Sequence, residues 1–188
     1  MKVGVLALQG AVIEHMDMLQ KCNVKPIEVR RQKDFKQLTG LIIPGGESTT
    51  IGRLINRFNL RESIHKLKAT NVPIMGTCAG LILLAKDIED QTENYLDLLD
   101  VSVKRNGFGR QRESFETSLE VSGIIGTVNG VFIRAPYVTS IGPGVKVLAY
   151  YQNKIVAVRE GNILGCSFHP ELTDDLKIHE YFVNMIKT

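Results

Sequence analysis

The 188 residues carry 23 basic and 20 acidic side chains, a formal charge of +3 and a pI of about 8.7. That near-balance, with no lysine or arginine block long enough to follow a phosphate backbone, argues against nucleic acid as a partner, and no apolar run approaches the ~18 residues of a membrane span. At 44% hydrophobic content the chain can bury one sizeable core, so one domain over residues 1–188 is expected; Cys22, Cys78 and Cys166 form no C-x-x-C pair or even framework, and with no signal peptide the expected location is a reducing cytoplasm.

Lys2 to Leu8 is an apolar run expected to form a central parallel strand, ending at Gln9-Gly10. A helical pattern follows over Val12 to Lys21, then a strand at Lys25 to Val29, a helical turn at Asp34 to Gln37, and a third strand at Leu41 to Ile43. Pro44-Gly45-Gly46-Glu47-Ser48-Thr49-Thr50 breaks that strand, and helical spacing returns over Ile51 to Phe58 and Leu60 to Ala69. The chain then reaches a buried strand, Val72 to Met75, followed by an apolar helix from Ala79. This alternation predicts a parallel sheet with right-handed crossovers. Ligands of such sheets sit beyond the carboxyl ends of the strands, where Gln9, Gly46 and Cys78 would lie.

After Lys86 the character changes. Asp97 to Val103 and Glu116 to Val121 look extended, separated by the polar loop Arg105 to Arg112. Val131 to Ile133, Val145 to Tyr151, Ile155 to Glu160 and Ile163 to Phe168 read as short strands with turn signals at Gly142-Pro143 and Gly161-Asn162. These are expected to extend the same sheet and add a small antiparallel flap. Asp174 to Ile186 closes the chain as an amphipathic helix behind the cap Thr173-Asp174. The expected fold is α/β, three layers, with a mostly parallel sheet and helices on both faces.

The chemistry-bearing residues cluster at strand ends. Cys78 stands between Gly76 and Gly80 where a strand turns into a helix, a position at which unpaired N–H groups and the helix dipole stabilise a negative sulfur. Taken alone, a small buried core cysteine is an equally good reading. In Ser167-Phe168-His169-Pro170-Glu171, residues two apart in extended chain point the same way, so Glu171 can lie beside His169 and fix its tautomer. A lone H-P-E is more commonly a surface loop; joined to a cysteine elbow, it favours a Cys78-His169-Glu171 triad. Backbone N–H groups at Gly46 and Ala79 could hold an oxyanion, although P-G-G is also an ordinary turn and Ser48 an ordinary helix cap. A phosphate loop is disfavoured because G-x-x-x-x-G-K-[ST] is absent. Arg105, Arg110, Arg112 and Arg134 form a loose basic set; an arginine facing the cleft would suit a substrate carboxylate. His15, His65 and His179 lie on predicted helices and read as structural or exposed, Cys22 and Cys166 as packing residues. No metal and no cofactor is expected.

G-T-C-A-G (Gly76 to Gly80) with F-H-P-E (Phe168 to Glu171) resembles the class I glutamine amidotransferase pattern, a triad on a flavodoxin-like sheet. L-A-L-Q-G (Leu6 to Gly10), P-G-G-E-S-T-T (Pro44 to Thr50), R-N-G-F-G-R-Q (Arg105 to Gln111), S-F-E (Ser114 to Glu116), F-I-R-A-P (Phe132 to Pro136) and S-F-H-P-E-L-T (Ser167 to Thr173) narrow the resemblance to the glutaminase subunits of pyridoxal 5'-phosphate synthase. The resemblance implies Cys78 as nucleophile with His169 and Glu171, and L-glutamine lined by Gly46, Glu47, Ser48, Arg105, Ile133 and Arg134. It also implies a separate (β/α)8 synthase subunit as hetero-oligomeric partner that consumes the ammonia. Ile13, Gly107 and Tyr137 depart from the family pattern, in which a basic residue, serine and histidine are common at those places. Rival readings are the glutaminase of another amidotransferase, a γ-glutamyl hydrolase, or a non-catalytic binding or stress-sensing chain on the same fold.

Overall fold

The computed structural model describes residues 1–91, 94–108 and 114–187. The strands are β1 (Lys2–Leu6), β2 (Lys25–Val29), β3 (Gly40–Ile43), β4 (Ile74–Thr77), β5 (Ala85–Ile88), β6 (Leu99–Lys104), β7 (Phe115–Glu120), β8 (Thr127–Phe132), β9 (Tyr137–Ile141), β10 (Lys146–Tyr151), β11 (Lys154–Glu160) and β12 (Ile163–Cys166). The helices are α1 (Val12–Lys21), α2 (Ser48–Arg57), α3 (Arg61–Ala69), α4 (Ala79–Leu84) and α5 (Lys177–Lys187). The main sheet runs β2-β1-β3-β4-β12-β11-β9-β6-β5, with β10 paired to β11, and β7-β8 form the separate antiparallel flap. From β2 to β12 the pairs are parallel; β12-β11, β11-β9 and β9-β6 are antiparallel.

Side-chain alternation builds the three layers. In β3, Leu41 and Ile43 face one way and Ile42 the other; in β4, Ile74 and Met75 divide likewise. The first face packs α2, α3 and α4 through Ile51, Ile55, Ile64, Leu67 and Leu81; the second packs α1 and α5 through Leu19, Ile178 and Phe182. Each such fully buried aliphatic or aromatic side chain contributes about 1.5–3 kcal/mol. None of the helices among the described residues is long and apolar enough to cross a membrane.

Several boundaries move for physical reasons. β1 ends at Leu6 because the chain turns once the Ala7 N–H has bonded to the Val29 carbonyl at 2.9 Å. α2 starts at Ser48, taking the predicted loop residues Ser48 to Thr50 into its first turn. α5 starts at Lys177, and Asp175, not Asp174, accepts its first N–H at 3.1 Å. β5 and β9 were not expected as strands. β5 carries Lys86 and Asp87 between two buried residues, and β9 is largely exposed, so neither shows an apolar alternation. β12 ends at Cys166 rather than Phe168. Arg110, Gln111 and Arg112 lie outside the described residues.

This topology opens the crevice. α1 follows β1 onto one face, and α2 follows the neighbouring β3 onto the other, so the two loops diverge where the strand order reverses. The elbow after β4 fits only because its glycines lack side chains. A Cβ on Gly76 would sit 2.6 Å from the Gly80 carbonyl, and one on Gly80 only 2.1 Å from the Ile43 carbonyl oxygen. Both obstacles are backbone of buried elements. Gly80→Ala is therefore expected to destabilise the fold by about 1–3 kcal/mol, read as a lower urea midpoint at unchanged slope; an unchanged midpoint would contradict this packing.

Candidate active site

Cys78 sits at the apex of the elbow with φ 48° and ψ −102°, a strained conformation for a residue with a side chain. Its N–H is tied to the Cys166 carbonyl of β12 at 2.8 Å, which fastens the elbow to the strand that leads to His169. Strain held by neighbouring hydrogen bonds is characteristic of positions kept for chemistry.

His169 and Glu171 meet as expected, with Nδ1 2.7 Å from Oε1 and both residues buried. The route differs from the extended chain anticipated above. The His169 N–H bonds the Val131 carbonyl of the flap at 2.8 Å, and Pro170 opens a 3-10 turn (Pro170–Leu172) that folds Glu171 back under the ring. With Nδ1 committed to Glu171, Nε2 is the nitrogen left for Cys78, which lines the same cavity. Burial alone would depress the imidazole, but Cys78 and Glu171 outweigh it and push its pKa up to about 10. Burial alone would raise the Glu171 carboxyl, but the flanking His15 and His169 hold it below the usual carboxylate range. The 3-10 turn therefore carries an ion pair, imidazolium on carboxylate, with the sulfur on the open side.

A cavity of about 400 Å³ lies over these groups, lined by Cys78, His169 and each of Gly46, Glu47, Ser48, Ala79, Arg105, Ile133 and Arg134. The predicted residues other than Glu171, which lies buried against the His169 ring, thus share one crevice. Gln9, Ile82 and Asn106 line it as well. Only Gln9 carried a signal for this, its place at the end of the first strand. The Gly45–Gly46 loop is pinned from three sides: the Gly45 N–H donates to Thr77 Oγ1 at 3.1 Å, the Gly45 carbonyl accepts from Ala11 at 3.0 Å, and the Glu47 N–H donates to Gln9 Oε1 at 2.7 Å. A Cβ on Gly45 would lie 2.3 Å from His169 Cε1 and 3.4 Å from Cys78 Cβ, which measures how closely loop, ring and cysteine converge.

The rim is set by aromatic packing. Phe132 of the flap stacks on Phe115 at 4.8 Å and touches Phe168 at 5.6 Å, which places Ile133 and Arg134 at the cavity edge. Lys154 lies over Phe108 at 4.6 Å and donates to the Gly107 carbonyl at 2.9 Å, steadying the segment that carries Arg105 and Asn106. Arg105 reaches across to Glu47, Nη2 to Oε1 at 3.3 Å. Two of the departures from the family pattern explain each other: a Cβ on Gly107 would meet the Tyr137 ring at 2.0 Å, so the larger ring at 137 fills the space a serine at 107 would need. Ile13, the third, is exposed on α1. Cys166 is fully buried, and burial pushes its thiol far up, in keeping with packing. His65 is partly buried on α3; His15 and His179 are fully buried, and His15 abuts this site.

A model of the SNO glutamine amidotransferase family matches residues 5–188. The chain is 52% identical over 187 residues to pyridoxal 5'-phosphate synthase subunit PdxT of Geobacillus kaustophilus (strain HTA426), covering 100% of this chain and 95% of that protein. It is likewise 52% identical to the protein of the same name from Niallia circulans, covering 100% and 98%. A crystal structure of a glutamine amidotransferase superposes with a TM-score of 0.94 at 46% identity, covering 99% of each chain. A cysteine elbow, a carboxylate-held imidazole and a full-length family match coincide, and this chain belongs to the SNO glutamine amidotransferase family.

Proposed function

We propose that this chain hydrolyses L-glutamine to L-glutamate and ammonia, and passes the ammonia to a separate (β/α)8 synthase subunit that builds pyridoxal 5'-phosphate. The observation that carries the reading is the meeting at one cavity of Cys78, on its strained turn, with an imidazole whose other nitrogen is held at 2.7 Å by a buried carboxylate. Relatives covering the whole chain bear the name of a synthase subunit, which favours a partnered enzyme over a free-standing hydrolase.

In this reading Cys78 attacks as the thiolate, its proton resting on His169 Nε2: Sγ bonds the side-chain carboxamide carbon of glutamine, and the C=O electron pair moves onto the carboxamide oxygen. The amides of Gly46 and Ala79 receive that oxyanion, a kind of donor whose loss costs about 10²–10³-fold in rate. On collapse the C–N bond breaks, and His169 Nε2 gives its proton to the departing ammonia, leaving a γ-glutamyl thioester. The same nitrogen then takes a proton from an attacking water, the C–S bond breaks, and the product leaves as glutamate, its acid proton passing to solvent, with the thiolate–imidazolium pair restored. One water is consumed for each glutamate and ammonia released. Glu171 stays ionised throughout, holding the ring in the tautomer that presents Nε2.

Glu47, Ser48, Arg105, Ile133 and Arg134 position the substrate, with Arg105 taking its carboxylate and Glu47 its ammonium. Arg105→Ala is expected to raise KM for glutamine about 10- to 100-fold while kcat changes less than about 3-fold, the signature of a charge-assisted contact made equally in ground and transition states. A change confined to kcat would move Arg105 out of the substrate site. The proposal further takes residues 1–188 as a single domain working in the cytoplasm, where the nucleophile stays reduced; the three cysteines are unpaired thiols.

The deciding experiment measures ammonia from glutamine with and without the synthase subunit, alongside γ-glutamyl peptides. Release that depends on or rises with the subunit is the expected result. No release in its presence, or preferential cleavage of γ-glutamyl peptides without it, overturns the proposal.

A further inference from the structure

The mechanism leaves one buried polar group beside the site without a task. His15, on α1, is fully buried, with Nδ1 2.9 Å from His179 Nε2, and with Nε2 3.0 Å from Thr77 Oγ1 and 3.4 Å from Glu171 Oε2. Oε2 of Glu171 makes no hydrogen bond of ordinary geometry, although it is buried. A buried carboxylate oxygen without a donor is costly, so a group facing it bears directly on how the carboxylate is held.

The proton positions follow from the neighbours. An ionised carboxylate only accepts, so a bare lone pair on His15 Nε2 would oppose Oε2 across 3.4 Å. Nε2 therefore carries the hydrogen, given to Thr77 Oγ1 at 3.0 Å and facing Glu171 Oε2 across 3.4 Å. His15 Nδ1 is then an acceptor and takes the Nε2–H of His179. That leaves the buried His179 Nδ1 as a bare acceptor, which has no hydrogen-bond partner; the opposite arrangement would leave an orphaned N–H there, the rarer and costlier outcome. Thr77 meanwhile accepts the Gly45 N–H at 3.1 Å, so the hydroxyl that receives His15 also holds the loop proposed to bind the oxyanion.

We infer that His15 is a positioning residue for the glutaminase reaction: its Nε2–H, backed by His179, ties the Glu171 carboxylate to Thr77 and so sets triad and oxyanion loop in one register. The inference rests on the function proposed above. His15 acts through Glu171 and Thr77 and touches no substrate. The titratable groups that bear on it are Glu171 from the 3-10 turn, His169 just before that turn, His179 from α5, and Glu14 of its own helix. Burial first, and the charge on His169, favour neutral His15, against the pull of Glu171.

The test combines two variants with a spectroscopic reading of the unaltered protein, each assayed with the synthase subunit. His15→Phe keeps a ring and loses the donor; kcat should fall about 10- to 100-fold with KM within about 3-fold. The acid limb of the kcat profile should move to higher pH, because a carboxylate that loses the N–H facing it is easier to protonate. His15→Gln restores a donor near Nε2 and should recover most of kcat and the original limb. In the unaltered protein, ¹⁵N-histidine NMR should find His15 neutral and protonated on Nε2. An Nδ1–H tautomer, a folded His15→Phe with unchanged kcat, or a His15→Gln no better than His15→Phe would overturn the inference. Should His15→Phe fail to fold, the tautomer and the glutamine variant still decide it. If the unaltered protein released no ammonia, the proposed function itself would fall, an outcome distinct from an active enzyme indifferent to residue 15.

Discussion

Cys78→Ala is expected to lower ammonia release from glutamine, measured with the synthase subunit present, by on the order of 10⁶-fold, the scale seen when a catalytic nucleophile is removed. The substitution deletes one sulfur and keeps Cβ, so the strained backbone at φ 48° is no harder to adopt. Glutamine should still bind, since Arg105 and Glu47 are untouched, while a glutamine-analogue electrophile should no longer label the protein. Folded variant retaining more than about 1% of native turnover would remove Cys78 from the nucleophile's role.

The second large effect is at His169, where two substitutions separate chemistry from electrostatics. His169→Asn can still offer an N–H to Glu171 from near the Nδ1 position but has no Nε2, so kcat should fall by a similar order, about 10⁶-fold, with little loss of stability. His169→Ala also strips the buried carboxylate of its partner, and breaking a buried ion pair from one side costs about 3–5 kcal/mol. The pH dependence fixes the sign. The His169 pKa rises from 6.5 to about 10 on folding, so its contribution is complete below pH 6.5 and is lost as pH climbs through about 10. The Glu171 pKa falls below its ordinary 4.5, so its contribution is present above that pH and is lost on acidification. The stability gap between native protein and His169→Ala should be widest near pH 5–6.5 and narrow on both sides, as read from urea midpoints across that range. A gap independent of pH would mean that the pair is not ionised as described.

Much of this arrangement is legible locally. The elbow can be read because a buried β-run, two glycines and an apolar helix-former sequence leave the residue between them few conformations, and H-P-E can be read because proline stops the ladder there. β5 and β9 escape such a reading. Asp100 pairs with Lys86 at 2.9 Å, and β9 borrows its partners from β6 and β11, so both are strands by virtue of neighbours and not of their own pattern. Asp175 could not be told from Asp174 as the donor's partner at the last helix, since both are acidic and adjacent.

His15 draws the line most sharply. Its spacing from Met18 and Leu19 puts it on the buried face of α1, which reads as packing. That it meets a threonine 62 positions on and a histidine 164 positions on depends on α1 crossing to the face shared with α5, beneath the strand ends. What the amino-acid order determined by itself was local: which residues bury, where strands break, and that a cysteine, an imidazole and a carboxylate stand at strand ends. The packing of the sheet decided the rest, namely which strand ends adjoin, which nitrogen of each imidazole is engaged, and which buried oxygen lacks a donor. Hydrogen bonds act over about 3 Å and burial is a property of the whole core, so neither is determined until segments far apart in the chain have docked.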